Sequence, residues 1–157
     1  IKNNNEQVIS EETAYQMTSI LSGAVERGTA KKLKTLKVPI AGKTGTTNDN
    51  YDAWFIGFSS NLVIGVYIGF DNPKSLGKFE TGSKAALPIF RDIVSKLKTS
   101  ANRPFFKVPQ SIKLEKIDIV TGDITKNNNR NVIVEGFKIN NMTKKSNNYN
   151  PLYNGIY

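Results

Sequence analysis

Lys43 stands among small residues in the run Ile40-Ala41-Gly42-Lys43-Thr44-Gly45-Thr46-Thr47, with three hydroxyls close behind it. That grouping suits an anionic, peptide-like ligand. Lys43 supplies positive charge, while Thr44 and Thr46 supply hydroxyl donors. Gly45 has no side chain, so a ligand backbone can approach closely there. Backbone N–H groups beyond Gly45 can point at a developing oxyanion and stabilise it. A bare Lys-Thr-Gly is weak evidence in a chain rich in Lys, Thr and Ser. Its context gives it weight.

The chain contains no His and no Cys. This excludes a Ser-His-Asp triad, Cys-His pairs, disulfides, thiolate chemistry and the usual zinc sites. A general base must then be Lys, Tyr, Asp or Glu. No metal and no cofactor is expected. Asp49 and Asp52 flank the turn after Lys43 and are read as solvated turn acids before a weak cation site. Cysteine absence fits any compartment. The formal charge is +9, from 22 Lys and Arg against 13 Asp and Glu. Surplus lysine solvates a surface, and it also suits nucleic acid, an acidic surface or an anionic substrate. A length of 157 residues allows one domain with a real core. No apolar run reaches membrane-spanning length and no signal peptide is visible. Starting at Ile1 without an initiator Met, the chain is expected to be a fragment or processed piece.

The elements that must position Lys43 follow from periodicity and punctuation. Residues 1–9 read as a polar lead-in. Ser10-Glu11-Glu12 is a helix start, with a capping hydroxyl and acids in the first turn. Ala14, Met17, Leu21, Ala24 and Val25 form its expected inward face, and Arg27-Gly28 its end. Thr29–Lys37 is basic and reads as a loop. Strands are expected over Val38–Thr46, Asp52–Phe58 and Leu62–Phe70, joined by Thr47–Tyr51 and by the turn Ser59-Ser60-Asn61. Such tight connections require an antiparallel sheet. Gly57, Gly65 and Gly69 suggest close packing across it. After the loop Asp71–Gly82, a helix is expected over Ser83–Leu97, with Ala86, Ile89, Phe90, Ile93, Val94 and Leu97 inward and Pro88 in the first turn. Beyond Ser100 the chain reads as extended: Phe105–Pro109, then Ile112–Val120, a turn at Thr121-Gly122-Asp123, and a short strand over Val132–Phe137. Lys144–Tyr157 reads as disordered. The division is therefore a lead-in over 1–9, one portion of a domain over 10–100, and an extended, partly disordered segment over 101–157.

Several blocks now carry a resemblance. They are Glu26-Arg27-Gly28-Thr29-Ala30, Ala41-Gly42-Lys43-Thr44-Gly45-Thr46-Thr47-Asn48-Asp49, Asp52-Ala53-Trp54-Phe55-Ile56-Gly57-Phe58 and Val66-Tyr67-Ile68-Gly69-Phe70-Asp71. Glu80-Thr81-Gly82, Ala85-Ala86 and Pro88-Ile89-Phe90 continue them. Together they resemble the transpeptidase domain of class A, bifunctional penicillin-binding proteins, from about Ile9 to about Leu97. Phe106-Lys107-Val108-Pro109, Ile117-Asp118 and Thr121-Gly122 resemble the segment that follows it. The resemblance implies an α+β fold, an antiparallel sheet flanked by helices, of the serine β-lactamase and transpeptidase kind, here its C-terminal portion. It implies a D,D-transpeptidase that cross-links peptidoglycan by serine acyl transfer on D-Ala-D-Ala stem peptides. Lys43 would be the cation beside the nucleophile. Thr44 and Thr46 would bind the substrate carboxylate, with Thr47 beside them. The Thr46 N–H would form half of the oxyanion hole, and Gly45 would leave room for the stem peptide or a β-lactam antibiotic. The implied location is the bacterial periplasm, at the outer face of the inner membrane, with an anchor in a missing N-terminal segment.

Members of the family carry S-x-x-K, S-x-N and K-T-G in that order. Only the third is recognised here, because none of the 42 residues before Lys43 reads S-x-x-K. Downstream, Ser75-Leu76-Gly77-Lys78 and Ser95-Lys96-Leu97-Lys98 match the first motif. Ser59-Ser60-Asn61, Ser100-Ala101-Asn102 and Ser146-Asn147-Asn148 match the second. All are read as chance, out of order and badly placed. Ser95, for instance, falls near a helix C-terminus, where the dipole opposes a forming oxyanion. The chain is therefore expected to lack its nucleophile, to be inactive alone, and to need the N-terminal part of the same protein that carries the other two motifs. Left alone, it is expected to have a sticky, unpaired sheet edge.

Two rivals remain. A phosphate loop would need Gly where Lys37 stands and a helix after Gly42-Lys43-Thr44. A nucleic-acid-binding or non-catalytic interaction domain would use the +9 charge and the Lys31–Lys37 cluster. Against nucleic acid, Trp54, Phe55, Phe58 and Phe70 read as core side chains and not as stacking platforms.

Overall fold

Ser10 opens the first helix. Its hydroxyl accepts the Thr13 N–H at 3.3 Å, satisfying one of the donors that a helix start leaves over. Helix α1 runs Glu11–Glu26, with both acids in its first turn. The computed structural model describes residues 6–97 and 105–139, and these divide into two compact units. One contains the chain up to Gln16 and everything from Val108. The other runs from Met17 to Lys107.

The Met17–Lys107 unit is built on a sheet of three strands, β1 (Ala41–Thr46), β2 (Ala53–Phe58) and β3 (Val63–Ile68), in the order β1-β2-β3. Both pairings are antiparallel, with Gly45 opposite Trp54 and Trp54 opposite Tyr67. The β2–β3 connection is the expected hairpin, closed by Ser59 N–H donating to the Leu62 carbonyl at 2.8 Å. Strand β1 begins later than Val38, because Pro39 has no N–H to give a ladder. Helix α2 (Ala86–Lys96) packs on one sheet face. Phe55 and Phe90 meet edge to face at 4.8 Å between ring centres. Gly57 makes this possible, since a Cβ there would lie 2.7 Å from both rings.

Four expectations change. Thr29–Lys37 is no open loop. Lys31–Leu36 forms a 3-10 helix with Leu33 wholly buried and Leu36 packed on the core. A spacing of three is one 3-10 turn, and the surrounding lysines hide it in the sequence. The inward face of α2 is Ala86, Leu87, Phe90 and Val94, while Ile89 and Ile93 are exposed. On α1 only Val25 of the expected face is fully buried. Trp54 and Phe70, expected in the core, are 40% and 43% exposed. Strand alternation sends Phe55 inward and Trp54 to the opposite face, against Tyr67 at 4.6 Å between ring centres.

In the other unit, β4 (Ile112–Asp118) pairs antiparallel with β5 (Val132–Lys138). The turn at Thr121-Gly122-Asp123 places Gly122 at a φ of 78°, a conformation that favours glycine. The start of α1 lies on this ribbon. Gln16 donates to the Gly136 carbonyl at 3.0 Å, Lys138 donates to the Thr13 hydroxyl at 3.1 Å, and Ser111 donates to Glu12. The expected disorder of Lys144–Tyr157 concerns residues outside those described. Among the described residues, no helix is long and apolar enough to cross a membrane.

Candidate functional site along the edge of β1

Hydrogen bonding fixes which way the backbone of β1 points. Thr47 N–H donates to the Asp52 carbonyl at 3.1 Å. Antiparallel pairs alternate between bonded and non-bonded residues. Counting back from this bond, Gly45, Lys43 and Ala41 bond β2. Gly42, Thr44 and Thr46 therefore turn their N–H and C=O groups away from β2. The Ser59–Leu62 bond sets β2 against β3 in the matching phase. Since β1 is the end strand, the Thr46 N–H and the Thr44 N–H and C=O lie on an open edge among the described residues.

Each expected site residue has a definite place there. Lys43 is exposed, and its ammonium donates back to the Thr44 carbonyl at 3.0 Å. The Thr44 hydroxyl meets the Thr29 hydroxyl at 3.1 Å. The Thr46 hydroxyl accepts the Gly82 N–H at 3.0 Å. That oxygen keeps its own hydrogen to donate elsewhere. Gly45 is half-buried, and an added Cβ would meet only the Trp54 side chain, at 3.2 Å. Thr47 does something different. Its hydroxyl accepts the Asp52 N–H at 2.8 Å and donates to Asp52 Oδ2 at 3.3 Å, so it closes the turn.

Two contributors were hidden in the sequence reading. Gly82 lies against the strand so closely that a Cβ would fall 2.3 Å from the Trp54 carbonyl oxygen and 2.6 Å from that of Gly45. Its loop is tied to the turn after β1 by Leu76 N–H on the Asn50 carbonyl, the Ser75 hydroxyl on the Asp49 carbonyl, and the Asn50 amide on the Lys78 carbonyl. Tyr67 is the second. Its hydroxyl donates to Asp52 Oδ1 at 2.9 Å, and this bond raises the phenol pKa above its ordinary value. Asp52 is thus held by Thr47 on one oxygen and by Tyr67 on the other. The blocks Glu80-Thr81-Gly82 and Val66-Tyr67-Ile68-Gly69-Phe70-Asp71 of the family resemblance contain them and are the signal that could have pointed to them.

The serines of the chance motifs have local work. Ser75 bonds the Asp49 carbonyl, Ser95 donates to the Asp92 carbonyl at 2.8 Å, and Ser59 donates to the Asn61 side chain at 3.0 Å. None is brought to Lys43 by a recorded contact. Ser100–Asn102 and Ser146–Asn148 lie outside the described residues.

A model of the penicillin-binding protein transpeptidase domain matches residues 1–95. Penicillin-binding protein 1A of Rickettsia conorii is 47% identical over 136 residues, 87% of this chain and 17% of its own length. Penicillin-binding protein 1A of Pseudomonas aeruginosa is 44% identical over 119 residues, 74% of this chain and 14% of its own. The crystal structure of penicillin-binding protein 1A from Haemophilus influenzae superposes with a TM-score of 0.73 at 33% identity, covering 83% of this chain and 21% of that one. The chain thus spans about a sixth of the length of the Rickettsia relative. The shared architecture is mixed helix and antiparallel sheet.

Proposed function

Since this chain belongs to the penicillin-binding protein transpeptidase domain family, we propose that it is the substrate-gripping part of a serine D,D-transpeptidase that cross-links peptidoglycan. The open edge of β1 receives a stem peptide as an added strand, through the outward groups of Thr44 and Thr46. The Thr46 N–H meets the carbonyl oxygen of the scissile bond and stabilises the oxyanion. The Thr46 and Thr44 hydroxyls and the Lys43 ammonium hold the terminal carboxylate. Thr47 serves through the turn that sets Thr46. Gly45 keeps the outer face low enough for the peptide or a β-lactam to lie flat.

The nucleophile comes from an S-x-x-K motif in the N-terminal part of the same protein. Its hydroxyl oxygen attacks the carbonyl carbon of the penultimate D-Ala. Terminal D-Ala leaves as the amine, and an acyl-enzyme ester remains. An amine of a second stem then displaces the serine and makes the cross-link. The chain works in the bacterial periplasm, at the outer face of the inner membrane, through an anchor outside its own residues. It uses no cofactor, and nucleic acid is not its partner. Residues 10–100 are the domain portion, and the ribbon of β4 and β5 belongs to the segment that follows it.

One observation carries this reading: the outward N–H of Thr46 on an end strand, unpaired among the described residues, beside a hydroxyl whose oxygen already accepts from Gly82. The test is labelling with fluorescent penicillin. The longer parent protein is expected to label and the isolated chain is not. In the parent, Thr46→Val is expected to slow acylation roughly 10- to 100-fold, the size of a lost hydrogen bond to a charged group, and Thr46→Ser is expected to restore most of the rate. Labelling of the isolated chain refutes the missing nucleophile. An unchanged rate in Thr46→Val refutes the edge assignment.

A further inference from the structure

The basic run between α1 and β1 has no part in the site described above, yet it adjoins it. Ala30 and Leu33 are wholly buried and anchor the 3-10 helix Lys31–Leu36 in the core. That anchoring drives the intervening lysines outward, and Lys31, Lys32, Lys34 and Lys37 are all exposed. Lys34 is neutralised by Glu26 at 2.9 Å. Among the described residues, no carboxylate pairs with Lys31, Lys32 or Lys37. The run is fastened to the open edge, because Thr29, two residues before Lys31, touches the Thr44 hydroxyl at 3.1 Å. Two residues of extended chain span only about 7 Å. Lys37 is held in a left-handed conformation at φ 53° and ends the run on the approach to β1.

We propose that Lys31, Lys32 and Lys37 form a cationic shoulder that draws an acidic peptide onto the edge of β1. The inference rests on the reading of that edge as a peptide-binding strand and adds its selectivity for peptides with several carboxylates. Unpaired cations beside a binding edge raise the local concentration of an anionic ligand and its rate of capture. The occupant is a peptide and not a nucleic acid for two reasons. The adjoining edge offers alternating N–H and C=O groups, which pair with another backbone. The 3-10 helix carries no aromatic side chain on which a base would stack.

The test uses the full-length parent and a triple variant, Lys31→Gln, Lys32→Gln and Lys37→Gln, with the triple Lys→Arg variant as control. Two synthetic stem peptides are compared, one with free side-chain carboxylates and one with them amidated. For the free acid, the Gln variant is expected to raise KM about tenfold at low salt with kcat unchanged, as the loss of three solvent-exposed charges beside the ligand would. For the amidated peptide KM stays within about twofold, and the Arg variant behaves as wild type. The salt dependence of KM for the acid peptide also flattens. Equal KM values for the two peptides in wild type and Gln variant overturn the proposal. So does wild-type retention on DNA that the Gln variant loses while peptide KM stays fixed. Fluorescent penicillin is run alongside. A parent that labels while KM is insensitive to the lysines sinks the shoulder alone, and a parent that does not label sinks the edge reading beneath it.

Discussion

The sheet β1-β2-β3 buries Phe55 and Phe90 almost completely, with Leu33 and Leu87 around them. The unit of β4 and β5 buries Pro109, Ile112 and Gly136 and leaves Leu114, Val120, Ile124 and Val134 exposed. What orders the ribbon is its ladder and a few side-chain bonds to the start of α1. A two-stranded ribbon alone is marginal in water, whereas interlocked aromatic side chains resist local opening. The candidate site lies in the unit with the core. That is the arrangement a preorganised oxyanion donor requires, since a donor that wanders must be re-ordered at each turnover.

The hardest blow to this contrast is Phe90→Ala. Removing the ring is expected to cost about 3–5 kcal/mol, from lost burial plus a cavity beside Phe55 and Gly57. Amide exchange should show β1, β2 and β3 losing protection while β4 and β5 keep theirs. Equal loss in both sheets would mean that the two units unfold as one cooperative body.

A smaller effect separates fold from function within the first unit. Gly82→Ala drives a methyl into the carbonyl oxygens of Trp54 and Gly45, and such overpacking costs about 1–3 kcal/mol. It should also detach the N–H that holds the Thr46 hydroxyl. Gly45→Ala meets only the Trp54 Cβ at 3.2 Å and should melt close to wild type. In the parent protein both variants should slow penicillin acylation, the first with a lowered melting temperature and the second without. If Gly45→Ala acylates normally, the outer face of the strand is not where the ligand lies.

These variants also show what could be read before the fold was known. The three strands and their antiparallel order were legible because Val, Ile, Phe and Tyr alternate between Gly- and Asn-rich turns. The family blocks put forward Lys43, Thr44, Gly45 and Thr46 as candidates through a compact motif, and the structure sets them along one end strand. The 3-10 helix was not legible, since two leucines three apart among four lysines look like a solvated loop. Helical periodicity alone puts Ile89 and Ile93 on the inward face of α2, because it tolerates a rotation that only the position of Phe55 decides. Hydrophobicity alone places Trp54 in the core, whereas strand parity sends it away from Phe55. The bond from Gly82 to Thr46 is not legible for a further reason: 36 residues of chain separate the N–H from the Thr46 hydroxyl. No periodicity reports a contact of that kind.

The smallest effect is a pH dependence confined to the ribbon's unit. Ser111 donates to the Glu12 carboxylate, and chiefly through that bond the Glu12 pKa is drawn from 4.5 down to about 2. A carboxyl whose folded pKa is depressed contributes stability above its unfolded pKa and loses it as pH falls toward the folded value. The contact should therefore be complete at pH 6, weaken below 4.5 and vanish near 2. Amide exchange in β4 and β5 should quicken across that window, with little change in β1, β2 and β3. Ser111→Ala should bring the Glu12 titration, followed by NMR of its side-chain carboxyl, back toward the ordinary range and remove the extra acid sensitivity of the ribbon. If the ribbon loosens equally with Ser111 present or absent, the bond to Glu12 does not help to hold it, and its order comes from the ladder with the remaining contacts of Thr13 and Gln16.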